Sequence, residues 1–264
     1  AADAAAKEQR TEMPLSDLHP FEGHPFKVLD DELMEQTVES IKQIGVVSPL
    51  IVRPDPEGGF EILSGHRRLH AAQLAGLETV PVIVKEMDDD AAIIFMVDSN
   101  LQRENILPSE RAFSYKMKLE AMKHQGTRND LETTSRQVVG KLEAADTIGE
   151  QTGESGRQVQ RFIRLTNLIP EILDMVDDGR IAFRPAVELS YLTEQEQGTL
   201  YDTMGREDCT PSLAQAIKMK AFSRDGKLTD AVILSIMEEE KPNQREQFRL
   251  PRDRINRFFK PGTP

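Results

Sequence analysis

Apolar and polar positions follow two regimes along this chain. Up to about residue 105, helical spacing is interleaved with short strand-like runs; beyond it only helical spacing persists. Leu33, Val38, Ile41 and Ile44 recur at helical intervals over 30–44, behind a cap at Asp30 or Asp31, and Gly45 is the stop. Pro49 to Arg53 and Phe60 to Leu63 read as strands joined by a turn over Asp55 to Gly59, and Val80 to Val84 as another. Between them Ser64-Gly65 opens a helix to Ala75, closed by Gly76. A helix beginning near Asp88 to Asp90 runs to about Arg103. Pro108 starts a helix expected to stop at Gly126. Gly153, Gly156, Pro170, Gly179 and Pro185 divide shorter helices, Thr193 with Glu196 makes a capping box, and helices start at Thr210-Pro211 and Thr229-Asp230. Gly205 to Thr210 reads as a linker, and no internal repeat or long heptad run is present.

Composition narrows the picture. A chain of 264 residues, 38% hydrophobic and without tryptophan, suits two or three small domains. No eighteen-residue apolar run predicts a membrane span, and the start at Ala1 reads as a frayed tail rather than a secretory signal. The lone Cys209 fits a reducing cytoplasm, and no Cys/His cluster has zinc spacing. The net charge of -12 argues against a nucleic-acid binder until its distribution is seen. Residues 111–141 carry seven basic against three acidic side chains, and 241–260 seven against two. Such basic stretches suit local phosphate contact, or else a solvated surface.

Residues 144–168 suggest a helix-turn-helix. Ala144 to Gln151 reads as a short helix, Thr152 to Glu154 as the turn, and Ser155 as the cap of a second helix through Leu165. Val159 and Ile163, flanked by Phe162, face a core, which leaves Arg157, Gln158, Gln160, Arg161 and Arg164 largely outside. Arginine pairs with guanine and glutamine with adenine, so that face suits a major groove; Ser155 and the helix start suit a phosphate. An ordinary polar helix surface is the alternative. Arg164 is a candidate for a structural pair with Glu171, Asp174 or Asp177.

The expected fold class is thus an α+β N-terminal domain followed by an all-α helix-turn-helix domain and a small helical C-terminal module. The boundaries are a flexible tail over 1–12, then 13–105, 106–205 and 206–264.

A second candidate site lies at Ser64-Gly65-His66-Arg67-Arg68, where a strand gives way to a helix. Glycine permits close backbone approach, the first helical amides point outward, and two guanidiniums match phosphate oxygens. The alternative is that these arginines pair with the acidic residues at 86–90. No P-loop sequence is present. Ser99, Asn100, Gln102 and Arg103 could close over a bound phosphate, with the Asn100 carbonyl on a Mg²⁺ ion. No serine or cysteine triad emerges, and Cys209 has no activating base near it in sequence.

In order, these segments resemble the ParB family of partition proteins. Ser64 to Ala72 is similar to its Gly-Glu-Arg-Arg box, Ser99 to Ala112 to its Glu-Asn-x-Gln-Arg box and following segment, Gly45 to Val52 to its Gly-Leu-x-x-Pro-x-x-Val strand, and Gly153 to Val159 to its helix-turn-helix. The resemblance covers about residues 13–205. It implies a homodimer on a palindromic double-stranded DNA site, cytoplasmic and nucleoid-associated, with no membrane. CTP with Mg²⁺ would close the dimer as a clamp, and a Walker-type ParA-like ATPase would be the partner. Ser64, Gly65, His66, Arg67, Arg68, Ser99, Asn100, Gln102 and Arg103 become nucleotide contacts, Asn100 the metal ligand, and Ser155, Arg157, Gln158, Gln160 and Arg161 the DNA contacts. His66 and Ser99 stand where the family has glutamates, which limits the chain to at most a weak CTPase; Glu104 could substitute in part. Two other readings stay open: a CTP-independent transcriptional regulator, and a small-molecule kinase-like enzyme.

Overall fold

The structure, a computed structural model, describes residues 10–103, 105–129 and 136–239, with the stretches 126–129 and 136–143 given by backbone alone. Glu104 and the basic stretch over 241–260 lie outside the described residues, as does most of the expected N-terminal tail.

The first unit is built on a five-stranded mixed sheet. Its strands are β1 (Arg10–Pro14), β2 (Leu18–Pro20), β3 (Leu50–Pro54), β4 (Phe60–Ser64) and β5 (Thr79–Val84), in spatial order β1-β5-β3-β4-β2. β1 runs antiparallel to β5 and β3 to β4, while β3 and β5 pair in parallel, as do β2 and β4. Alternate residues of a strand face opposite sides. On β4, Ile62 joins a core with Met34, Val38 and Ile41, whereas Leu63 joins Ala92, Met96 and Val97. The sheet is therefore covered on both faces by three helices: α1 (Glu32–Ile44), α2 (His66–Leu74) and α3 (Asp89–Leu101).

Two expectations change here. Arg10–Pro14 is an edge strand, so the tail ends sooner than residue 12. On α1 the buried stripe is Met34, Val38 and Ile41, while Leu33 and Ile44 are exposed. Asp31 fixes that phase by capping the helix, its carboxylate accepting from the Met34 amide at 2.8 Å.

A helical region follows: α4 (Pro108–Asn129), α5 (Arg136–Thr152), α6 (Gly156–Arg164), α7 (Pro170–Asp177), α8 (Phe183–Leu189), α9 (Glu194–Glu207), α10 (Leu213–Arg224) and α11 (Asp230–Met237). Gly126 does not stop α4, and α5 begins well before Ala144. The boxes Thr193/Glu196 and Ser212/Gln215 cap α9 and α10. One hydrophobic core runs from Ala112 to Met237, with no break at residue 206. α10 and α11 therefore belong to the same packed body as α4 to α9, and the expected linker at 205–210 is partly the end of α9. No helix among the described residues is long and apolar enough to cross a membrane.

Candidate functional site

The strand-to-helix corner is formed as the sequence suggests, but its two arginines diverge. Ser64 ends β4, and Gly65 takes φ +111°, a conformation that side chains resist. A Cβ at Gly65 would lie 3.0 Å from Leu50 Cγ and 3.1 Å from Arg68 Nη2. Arg68 turns back and donates from Nη1 to the Ser48 and Pro49 carbonyls, both at 2.6 Å. It anchors the entry to β3 rather than facing a ligand. Arg67 donates to Asp31 Oδ1 at 2.9 Å, and its guanidinium holds the Asp31 carboxyl below the usual carboxylate range. Neither arginine bonds the acidic stretch; Asp89 instead accepts from Arg53 Nη1 at 2.7 Å, beside the buried Arg53–Glu61 pair. Arg67 also borders a groove of about 530 Å³ along α1, lined by Leu33, Gln36, Thr37, Val47 and Arg68 among others.

His66 is buried and stacks on His24, with ring centroids 3.6 Å apart and planes 30° from parallel. Burial pushes His66 down to about 3, with His24 and Arg103 adding to the shift. It pushes His24 down to about 4, against a backbone hydrogen bond at Phe26. Both rings are thus neutral near pH 7. The Nε2 atoms of both are buried without a hydrogen-bond partner among the described residues. Arg103 stands beside them, half-buried, with its Cζ 5.6 Å from the centre of the Phe26 ring. Among the described residues its guanidinium makes no hydrogen bond or ion pair. Burial lowers its pKa, the charge on Glu110 raises it, and that on Arg67 lowers it further.

The Ser99–Arg103 segment contributes less than expected apart from Arg103. Ser99 and Asn100 both donate to the Met96 carbonyl, at 2.9 and 2.8 Å, from the last turn of α3. Asn100 is buried, and Gln102 is exposed at the helix end. The donors at Asn100 are a poor set for a hard cation without added oxygens. Among the described residues the His, Cys, Asp or Glu grouping close enough to share an ion is His19, Asp55 and Glu61, none of them in this segment. His24, Phe26 and Asp31 were not expected at the site. They come from a loop and a helix cap that carry no periodic signal.

At the second site, Ser155 caps α6, accepting from the Gln158 amide at 3.2 Å. Val159 and Phe162 are buried, Gln158 and Gln160 are half-buried, and Arg157 and Arg161 are exposed one turn apart on one face. Neither arginine has a hydrogen-bond or ion-pair partner among the described residues. Arg164 points the other way: Nη2 donates to the Ser190 carbonyl at 2.5 Å, and its Cζ lies 4.0 Å from the Tyr191 ring centre. It is structural, though not through Glu171, Asp174 or Asp177. α5 and α6 meet closely because Gly149 and Gly156 lack side chains. A Cβ at Gly149 would come within 2.6 Å of the Glu154 carbonyl, and one at Gly156 within 2.0 Å of the Asp146 carboxylate. Cys209 is half-buried beside the helical core.

Comparison with known proteins bears on both sites. Residues 1–101 match the family model of the ParB N-terminal domain. The chain is 27% identical over 219 residues to the probable chromosome-partitioning protein ParB of Vibrio cholerae, covering 83% of this chain and 68% of that protein. It is 35% identical over 173 residues to the protein of the same description from Pseudomonas putida, covering 66% of this chain and 53% of that one. It therefore spans about half to two thirds of the length of these relatives. The structure of a Pnob8-like ParB-N domain aligns with a TM-score of 0.50 at 14% identity, covering 87% of this chain and 98% of that one, which speaks for the fold alone. Residues 1–101 therefore belong to the ParB N-terminal domain family, and the relatives that the longer chain resembles are described as chromosome-partitioning proteins.

Proposed function

We propose that the chain is a DNA-binding partition protein that holds a cytidine triphosphate in its N-terminal domain and grips duplex DNA through a helix-turn-helix made by α5 and α6. One observation carries the nucleotide half: Arg103, half-buried and without a hydrogen bond or ion pair among the described residues, converges with two buried imidazole nitrogens that likewise have no hydrogen-bond partner among them, beside Arg67. Unpaired buried polar groups are costly, so a site that gathers three of them favours a ligand that pairs them. Their chemistry selects an anion. The groove along α1 begins at Arg67 and has room for a nucleoside.

The chain's own residues divide the work. Gly65 lets backbone approach the phosphates, Arg67 and Arg103 neutralise them, and Arg68 keeps the corner in shape. Mg²⁺ would arrive on the triphosphate and reduce its charge, with the Asn100 carbonyl as a ligand from the chain. CTP turnover is no part of the reading, because His66 and Ser99 stand at the two positions where the resemblance implies carboxylates. The DNA half rests on Arg157 in the first turn and Arg161 in the last turn of a capped helix, both exposed and without a hydrogen-bond or ion-pair partner among the described residues. A homodimer on a palindromic site, closing as a clamp when CTP is bound, and a ParA-like ATPase partner complete the reading.

The replaced carboxylates also favour a second reading, a regulator that binds DNA without CTP. Crosslinking of radiolabelled CTP to the wild type and to Arg103→Ala separates the two. The proposal expects labelling of the wild type and its loss in the variant; equal labelling overturns the assignment of the pocket to Arg103, and none in either favours the regulator.

A further inference from the structure

The stacked histidines have a property that the nucleotide reading leaves unused. Each Nε2 is buried without a hydrogen-bond partner among the described residues, and the ring centroids lie 3.6 Å apart with the planes 30° from parallel. The groups around them come from three elements. α2 supplies His66 and Arg67, the segment after β2 supplies His24 and the Phe26 backbone, and the connection after α3 supplies Arg103. Glu110, on α4, acts on Arg103 rather than on the rings, and its two oxygens already accept from the Lys27 and Leu107 amides. Among the described residues no carboxylate contributes to the electrostatics of either ring. A neutral imidazole with its proton on Nδ1, the tautomer that the backbone hydrogen bond at Phe26 favours for His24, presents an Nε2 lone pair to an approaching phosphate oxygen, which is repulsive. A protonated one presents a donor and a charge of the right sign.

We propose that the His24–His66 stack is a proton-linked phosphate reader: an anion bound at Arg67 and Arg103 draws one proton from solvent onto the stack, which donates it from Nε2 as a hydrogen bond to a phosphoryl oxygen. No covalent bond of the ligand changes. The stack takes up one proton and not two, because a second charge would sit 3.6 Å from the first. The inference rests on the nucleotide reading above and deepens it by naming what senses the phosphates.

Calorimetry in two buffers of unequal ionisation enthalpy tests it, with CTP and Mg²⁺ and separately with inorganic tripolyphosphate, from about pH 8 to about pH 6. The wild type is expected to take up a proton fraction that rises towards one per ligand at the acid end, with both probes. Relative to His66→Asn and His24→Asn, its affinity should rise at least threefold over that span. Titration of the ligand's own phosphates is common to all three proteins and cancels in the difference. Equal uptake in wild type and variants, or uptake with CTP but not with tripolyphosphate, overturns the inference and leaves nucleotide binding standing. No binding of either probe to the wild type overturns the nucleotide reading together with the inference. Histidine ring resonances of the unsubstituted protein give a readout independent of variant folding. They must move to imidazolium positions when CTP is added, and rings that stay neutral refute the mechanism.

Discussion

Lys118, with 1% of its side chain exposed, bonds Asp98 across the junction of α4 with α3, and the same ammonium reaches Gln151 on α5. One buried cation thus ties the end of the sheet domain to α4 and α5. Removing one partner of a buried pair strands the other charge, whereas an apolar isostere removes the problem. Asp98→Ala is expected to destabilise the protein by about 3 kcal/mol, the low end of such effects because water reaches Asp98. Lys118→Met should cost less than about 1 kcal/mol. Urea denaturation of the two variants checks the order; the reverse order would show that Lys118 is not held as a charge.

Gly65→Ala combines a disfavoured φ of +111° with a methyl 3.0 Å from the core residue Leu50 and 3.1 Å from Arg68 Nη2. We expect a loss of about 1–3 kcal/mol of stability together with most of the CTP affinity. Thermal unfolding and calorimetry measure the two effects. An alanine variant of full stability that still binds CTP would contradict the geometry of the corner.

Arg157→Ala and Arg161→Ala should leave the melting temperature unchanged, since both side chains are exposed and have no hydrogen-bond or ion-pair partner among the described residues. Each should lower specific DNA affinity by about 1–3 kcal/mol and narrow the gap between specific and random duplex. Arg164→Ala should do the opposite, lowering stability through the lost Ser190 and Tyr191 contacts. Fluorescence anisotropy on selected and random duplexes, over a range of salt, reads these effects, and affinity should fall steeply with salt.

Acid should unfold the ligand-free protein through the histidine pair. Burial lowers His66 to about 3 and His24 to about 4 from 6.5, so below 6.5 the unfolded chain binds protons that the folded chain refuses. The pair's contribution to stability is therefore constant above that pH and falls as the pH drops through it, by at most about 1.4 kcal/mol per pH unit for each ring. His66→Asn should flatten that limb. Denaturant midpoints measured at a series of pH values show it, and an unchanged slope would place the acid sensitivity elsewhere.

The interior strands were legible because β3, β4 and β5 are short apolar runs bounded by turns. β1 and β2 were not: each pairs on one side only, and Arg10–Pro14 buries Met13 alone, so no alternation betrays it. Leu33 and Ile44 fit a helical stripe as well as Met34 does, and tertiary packing chose between them. At the candidate site the sequence marks Arg67 and Arg68 alike. Helical geometry sends one to Asp31 and the other to backbone carbonyls. His24 lies 42 residues before His66 in a loop, so their stacking is a product of topology that no local motif announces. The α5–α6 corner was readable because Ser155 and the glycines around it are local requirements.

The segment that carries His24 also has an anchor at its other end. Pro25 and Phe26 are all that separate the imidazole from Lys27, whose amide donates to Glu110 at 2.7 Å and whose ammonium lies 3.6 Å from Asp174 and 3.7 Å from Asp177. Proline stiffens that span further. A shift of the ring by a few tenths of an ångström has little slack in which to dissipate before it tugs on the start of α4 and the end of α7. Under the reading proposed above, an occupant of the histidine stack would be joined to α4 and α7 by three residues of backbone within a single subunit.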